Sequence, residues 1–262
     1  MANPLLSFRD VVGVTQEGAL DPHFPVSFEL MQGEIGVIRG GIRASSLIRL
    51  AACRGIVTRG VVSIMGASIG WNDNPATYLS LRFTKKFRNA LGFCHGHGGL
   101  MANLTILQNV ILPAHYHSGL KSIQPFLDMA IERLREVRVP EEMWELRPCD
   151  VPHEFQKRVL LARSVMHKPA ILILDEPTNA IPWSETHEIA SWVQKQKETG
   201  RGLLIATSND PFAALVADWM VDLFDLVVVS GNADVKKHLG ALATKGAALI
   251  RKQGEAGKGH AT

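Results

Sequence analysis

Residues 171–183 read ILILDEPTNAIPW: four branched apolar residues, the acidic pair Asp175 and Glu176, then Pro177 and Thr178. An apolar run without polar alternation is the pattern of a strand covered on both faces, and such strands belong to sheets layered by helices. Four more runs share it: IGVI at 35–38, VVSI at 61–64, LLIA at 203–206 and LVVV at 226–229. Helical stretches with recognisable starts lie between them. Asn74-Pro75 places a cap before a proline at the first helical position. Thr105 with Gln108 forms a capping box opening TILQNVIL. Pro125 opens PFLDMAIERLREV, whose apolar residues at 126, 127, 130, 131, 134 and 137 make one stripe. Phe155, Val159, Ala162 and Met166 make another. Ser184 can cap ETHEIASWVQKQKET, which Gly200 ends.

No strand pattern occurs from about 100 to 168, whereas strands and helices alternate on either side. The expectation is an α/β domain over 1–232 with a helical insertion at about 100–168. SFRDVV and PVSFEL, separated by turn residues, predict a small antiparallel element in the opening 30 residues. Residues 233–262 are expected to form a C-terminal helix and a Gly- and Lys-rich disordered tail after about 254. A chain of 262 residues that is 46% apolar can bury one core with an appendage. Its net charge of +3, from 28 basic and 25 acidic residues spread along the chain, gives no argument for a nucleic-acid partner. Cys53, Cys94 and Cys149 form no C-x-x-C pair and read as reduced thiols of a cytoplasmic protein. The opening MANPLLSFRD lacks a basic-then-apolar signal pattern, and no apolar run approaches the roughly eighteen residues that span a bilayer. Membrane association is therefore expected through a partner.

An acidic pair leaving a buried strand can give one carboxylate to Mg²⁺ and the other to an attacking water, but only beside a phosphate-binding loop such as G-x-x-x-x-G-K-[ST]. The chain contains no such string. Its pieces, taken in order, nevertheless resemble the nucleotide-binding domain of an ATP-binding cassette (ABC) transporter. GEIGVIRGG at 33–41 is similar to the family's strand into the phosphate loop, and SSLIRLAAC at 45–53 to the helix that follows. LGFCHGHGGLMANLTILQNVILP at 91–113 resembles the Q-loop region. KRVLLARSVMHKPAILILDEPT at 157–178 resembles the family's run into its acidic strand almost position for position. The resemblance covers about residues 5–232. It implies a P-loop ABC ATPase fold, with a mainly parallel sheet core, an N-terminal antiparallel β element and a helical subdomain. It also implies ATP and Mg²⁺ as ligands, a second ABC subunit, a transmembrane transporter subunit docked over about 93–118 and 125–137, and a place on the inner face of the cell membrane.

Carried over position by position, the resemblance explains the missing loop. Gly40, Gly41, Ile42, Arg43, Ala44, Ser45 and Ser46 form a phosphate loop two residues short, with Ala44 in the lysine's place. That lysine supplies point charge to the phosphates, and the glycine wrap turns backbone N–H groups towards them. Arg43 is not a like-for-like replacement. The Q-loop glutamine falls on Gly96. The signature L-S-G-G-Q falls on Val151, Pro152, His153, Glu154 and Phe155, where Pro152 lacks a donor and Glu154 brings like charge towards phosphate. The D-loop aspartate falls on Pro182, the switch histidine on Asn209, and no aromatic marks the adenine position near Val14 and Thr15. Asp175 and Ser45 remain as Mg²⁺ ligands and Glu176 as the group that polarises water, or else Asp175 and Glu176 persist as a structural unit, with Asp175 paired to Ser45 or Ser46. His95, His97, His115 and His117 complete no zinc pattern and read as loop histidines near a subunit contact. Trp183, and Trp192 and Trp219 in helices, read as core or interface aromatics. ATP binding is expected to be weak or lost, giving a degenerate pseudo-ATPase subunit of a transporter. Two alternatives stay open: an active ATPase with diverged motifs powering transport of lipids or other substrates, and a soluble ABC-fold scaffold.

Overall fold

The computed structural model describes residues 3–15, 18–19, 25–70, 89–120 and 122–244. The helix start at Asn74-Pro75 and the tail after 254 lie outside these residues. Six strands form the central sheet: β4 (Ile35–Arg39), β7 (Leu91–Cys94), β8 (Ile171–Asp175), β9 (Gly202–Ala206), β10 (Trp219–Asp222) and β11 (Val227–Ser230), in the order β11-β10-β4-β9-β8-β7. All neighbours are parallel except the β10–β11 pair. Every residue of β8 and β9 is buried. Their side chains divide by the two-residue period of a strand. Leu172 and Leu174 point into one core cluster, with Val159, Ile189 and Phe212; Ile171 and Ile173 point into another, with Leu47, Ile48 and Phe8.

The second cluster is roofed by an antiparallel sheet of β1 (Leu6–Thr15), β2 (Gly18–Ala19), β3 (Val26–Leu30), β5 (Gly55–Ile64) and β6 (Ala67–Gly70). This element therefore extends well beyond the opening 30 residues, and β4 with helix α1 (Ile42–Ala51) is threaded between its strands. Phe8 stacks on Phe28 at 4.6 Å, and Phe28 meets Trp219 at 5.3 Å, which joins the two sheets. A Cβ at Gly36 would come within 2.2 Å of the Trp219 ring, so β4 needs glycine there. Trp219 accordingly opens a strand rather than lying in a helix, and is 9% exposed.

The other face carries α2 (Ile106–Ser118), α3 (Leu127–Glu136), α4 (His153–Ser164), α5 (Thr186–Glu198), α6 (Asp210–Val216) and a helix α7 over 232–244. The capping box at α2 is present, with Thr105 Oγ1 accepting from the Gln108 N–H and Gln108 Oε1 from the Thr105 N–H. Ala130 and Leu134 bury the α3 stripe, with Phe126, Leu127 and Ile131 packed at its margin. Among the described residues no strand interrupts α2 to α4. All five apolar runs coincide with strands, but two of them are not buried on both faces and one expected helix cap is absent. VVSI lies in β5, where burial alternates because one face of an antiparallel sheet is wet. LVVV becomes the edge strand β11, whose residues are mostly exposed. Ser184 does not cap α5; it sits in the short turn Trp183–Glu185 before the helix, which starts without a side-chain cap. β7 and β10 were too short and mixed in LGFC and WMVD to read as strands. Among the described residues no helix is long and apolar enough to cross a membrane.

Candidate functional site

The carboxyl ends of β4, β8 and β9 open on one face, where ligands of parallel α/β sheets bind. At the end of β4 the chain turns through Gly40 and Gly41, the latter at φ +56°, and α1 begins at once. The N–H groups of Arg43, Ala44 and Ser45 donate to Gly40 O at 3.2 Å, Gly41 O at 3.0 Å and Gly41 O at 3.2 Å. Donors that a phosphate loop would leave open are thus directed at the chain's own carbonyls. Ala44 is buried within α1's inner face, at 1% exposure, whereas Ile42 is 64% exposed. A Cβ at Gly40 would fall 2.7 Å from Leu223 Cβ, so the β10–β11 turn presses directly on this glycine. Ser46 is buried and accepts from Thr15 Oγ1 at 3.1 Å, which ties α1 to β1. Arg43 is exposed on the helix's outer side.

Asp175, at the end of β8, is 2% exposed. Its Oδ1 accepts from Ser45 Oγ at 2.7 Å and its Oδ2 faces the Arg49 guanidinium at 3.4 Å. A Cβ at Gly96 would lie 3.1 Å from this carboxylate, so position 96 does adjoin it but presents no ligand. Lys157 is buried beneath, with Nζ donating to His95 O at 2.8 Å, Gly96 O at 3.0 Å and Asp175 O at 3.2 Å. Its three ammonium protons are all engaged.

Glu176 takes a left-handed backbone conformation, φ +43°, that turns its carboxylate towards the end of β9. There Oε1 accepts from Ser208 N at 2.9 Å and Ser208 Oγ at 2.8 Å, and Oε2 from Thr207 Oγ1 at 3.2 Å. Asn209 caps α6: its Oδ1 accepts from the Phe212 N–H at 3.0 Å, and its Nδ2 donates to Thr178 Oγ1 at 3.2 Å. The structure thus joins Ser45 to Asp175, places Gly96 against it, and zips Glu176 and Thr178 to the 207–209 loop.

Val151, Pro152, His153, Glu154 and Phe155 form the start of α4, and among the described residues no hydrogen bond links them to Gly40–Ser46. Val151 is buried, and Pro152 occupies the cap position without a side-chain bond. Glu154 is drawn instead to Arg158, 3.9 Å away. Arg158, 2% exposed, also holds Val137 O at 3.0 Å, Glu188 at 3.1 Å and Glu185. Burial and the neighbouring Glu185 push the Glu154 carboxyl above its usual range. Pro182 precedes the turn in which Trp183 stands 69% exposed.

The four histidines do not converge. His95 Nε2 accepts from Arg54 at 3.1 Å, and burial followed by the Arg54 charge lowers its pKa to about 4. His97 meets Asn179 at 3.2 Å, and His117 stacks on His167 at 4.6 Å. Among the described residues the one metal-like group is Asp222, Asp225 and His238, and Arg39 already pairs with Asp222 at 3.0 Å. Sequence reasoning gave no role to Arg49, Lys157 and Arg158, although Arg49 lies in SSLIRLAAC and the other two open KRVLLARSVMHKPAILILDEPT.

A glycine turn into a helix, an acidic strand end beside it and a helical layer between β7 and β8 define a P-loop cassette of the ABC ATPase type. A family model described as ABC transporter matches residues 24–179, more than half of the chain, and the chain belongs to that family. It is similar to the macrolide export ATP-binding/permease protein MacB of Escherichia coli (strain K12), 28% identical over 241 residues, covering 89% of this chain and 35% of the relative. With the MacB of Chlorobium luteolum it is 31% identical over 235 residues, covering 87% and 33%. The chain thus spans about a third of the length of these curated relatives. Among solved structures it resembles the dimeric ATP-binding cassette MJ0796 bound to ADP and Pi, with a TM-score of 0.71 at 21% identity over 83% of this chain and 94% of that one. An ATP-binding subunit of an ABC transporter aligns with a TM-score of 0.65 at 22% identity, over 84% and 85%. At those identities the structures establish the fold.

Proposed function

We propose that this chain is the cassette subunit of a membrane transport complex, a pseudo-ATPase with a structural or regulatory role, held on the inner face of the cell membrane by a transmembrane partner and paired with a second ABC subunit. The observation that carries the reading is the Gly40–Gly41 turn, whose following N–H groups bond to its own carbonyls while Ala44 is buried in the position of the phosphate lysine. Glu176 and Asn209 add to it, because both serve the 207–209 loop. A lysine–phosphate contact and a glycine wrap are charge-assisted interactions worth roughly 1.5–3 kcal/mol each. Losing two weakens affinity by about two to four orders of magnitude. Calorimetric titration of the full chain with Mg-ATP is expected to give millimolar affinity or none; micromolar binding would overturn the reading. Affinity capture from solubilised membranes of the native cell is expected to bring down a membrane-spanning subunit, and its absence would favour a soluble scaffold.

A further inference from the structure

We propose that residues 247–252, AALIRK, fold back over an apolar strip formed by Ile42, Phe224 and Leu226 and close the mouth beside the Gly40–Gly41 turn. The inference deepens the reading above, on which that turn is the remnant of a nucleotide mouth, and gives the mouth an occupant from the chain itself.

Three large apolar side chains stand in the open at this rim. Ile42 is 64% exposed, Phe224 59% and Leu226 43%. A Cβ at Gly41 would lie 3.9 Å from Phe224 Cζ, which sets the ring beside the first residue of α1. The same ring rides on Arg39, whose guanidinium carbon is 5.0 Å from its centroid. Leu226 closes the β10–β11 turn at φ +58°, a left-handed conformation that glycine or asparagine adopts at less cost. Neither the backbone nor water therefore accounts for a leucine there. Grouped apolar exposure of this kind marks a surface that something covers.

The course of α7 indicates what that is. Asn232, at its start, donates to Ala217 O at 2.7 Å, just ahead of β10, whereas His238 lies 3.0 Å from Asp222, the last residue of β10. The helix thus runs alongside β10 towards the carboxyl ends of the sheet, with Val235, Leu239 and Leu242 turned to the core. From His238 to residue 244 it rises about 9 Å more. The chain therefore leaves the described residues on the face that carries the strip. Residues 245–262, KGAALIRKQGEAGKGHAT, follow. At about 3.3 Å per extended residue, 245–250 alone reach about 20 Å. Tethering at such a length favours this segment over any free partner, because its effective concentration is high.

Charge fits the same occupant. The tail carries Lys245, Arg251, Lys252 and Lys258 against Glu255. At the rim, Asp210, Asp222 and Asp225 outnumber Arg39 and Arg43. Arg39 is taken up by Asp210 at 2.8 Å and Asp222 at 3.0 Å. Among the described residues the half-exposed Asp225 carboxylate meets only His238, 3.8 Å away. The apolar AALI thus matches the strip, and the two cations directly behind it match Asp225 and Asp210.

The test places p-benzoylphenylalanine at Phe224 in the full chain, irradiates an equimolar mixture of ¹⁵N-labelled and unlabelled protein, and identifies cross-linked peptides by mass spectrometry. Cross-links from 224 to 247–252 within one isotope population are expected. Mixed-isotope cross-links would assign the strip to a second copy, and no cross-link to 247–252 would leave the tail elsewhere; either result overturns the proposal. Trypsin supplies a measurement on the unaltered protein. Cleavage after Arg251 and Lys252 is expected to be at least tenfold slower than after Lys258, and Phe224→Ser/Leu226→Asn to abolish that difference. Equal cleavage in the wild type would overturn the proposal, and that comparison decides by itself should the double variant fail to fold by circular dichroism. Micromolar Mg-ATP binding alongside the intrachain cross-link would defeat the pseudo-ATPase reading alone; weak or absent ATP binding without the cross-link would defeat this one alone.

Discussion

Glu176 is fixed by the loop that follows β9. Its carboxylate accepts three hydrogen bonds from Thr207 and Ser208, and a left-handed backbone angle is tolerated to deliver it there. Glu176→Gln keeps the shape but removes the charge and one acceptor, so it should cost about 1–3 kcal/mol in urea denaturation. It should not produce a stable ATP-bound dimer in size-exclusion chromatography; such a dimer would mark an active enzyme. His95 sets a pH dependence. Its folded pKa, about 4, lies below the ordinary 6.5, so the unfolded chain takes up the proton first. Its contribution is therefore complete above pH 6.5 and is lost as pH falls towards 4, on the order of 1–2 kcal/mol after solvent screening. His167, also lowered by burial, acts in the same direction. Glu136 and Asp222, held below their ordinary values of 4.5 and 3.8, add losses only at lower pH. A stability profile of His95→Gln that remains as steep between pH 6.5 and 4.5 would contradict this assignment.

Helix α4 is anchored at both sides by buried cations. Lys157 nails it to the Q-loop position and to β8, and Arg158 nails it to α5 through Glu188 and Glu185. Lys157→Met would remove a charged donor from the carbonyls of His95, Gly96 and Asp175. We expect a loss of about 3 kcal/mol in guanidinium denaturation. Amide exchange at residues 95–97 should rise at the same time, because the lost bonds end there; unchanged exchange would place the cost elsewhere. The start of the helix was legible as an apolar stripe, since that pattern is local. Its anchors were not, because a buried lysine is exceptional and its acceptors come from segments 61 and 18 residues away.

For the assembled protein, the resemblance implies composite sites, each taking the phosphate loop from one subunit and the signature from the other. On the proposed reading, the Gly40–Gly41 turn would spoil the site built on this chain's own loop, and Val151–Phe155 would spoil its partner's. Titrating the protein into a competent partner ATPase should lower turnover or leave it unchanged. Stimulation by the unmodified protein would show the regulatory reading to be wrong. Recovery only after VPHEF is restored to LSGGQ would locate the partner-site defect at 151–155.

Strand runs such as ILIL and LLIA, the Thr105 capping box and the absent phosphate lysine were all written in short stretches of chain. Each depends on neighbours within one strand or one helical turn, where residue identity suffices. The layered fold followed, because strands apolar on both faces can be buried only between helices and a second sheet. Position in the sheet could not be read that way: LVVV and ILIL are equally apolar, yet one is an exposed edge and the other lies between two neighbours. The use made of the acidic pair also required the folded chain. Arg49 reaches Asp175 across 126 residues and Ser208 reaches Glu176 across 32, and a carboxylate's occupation is a property of the groups that packing brings within about 3 Å of it.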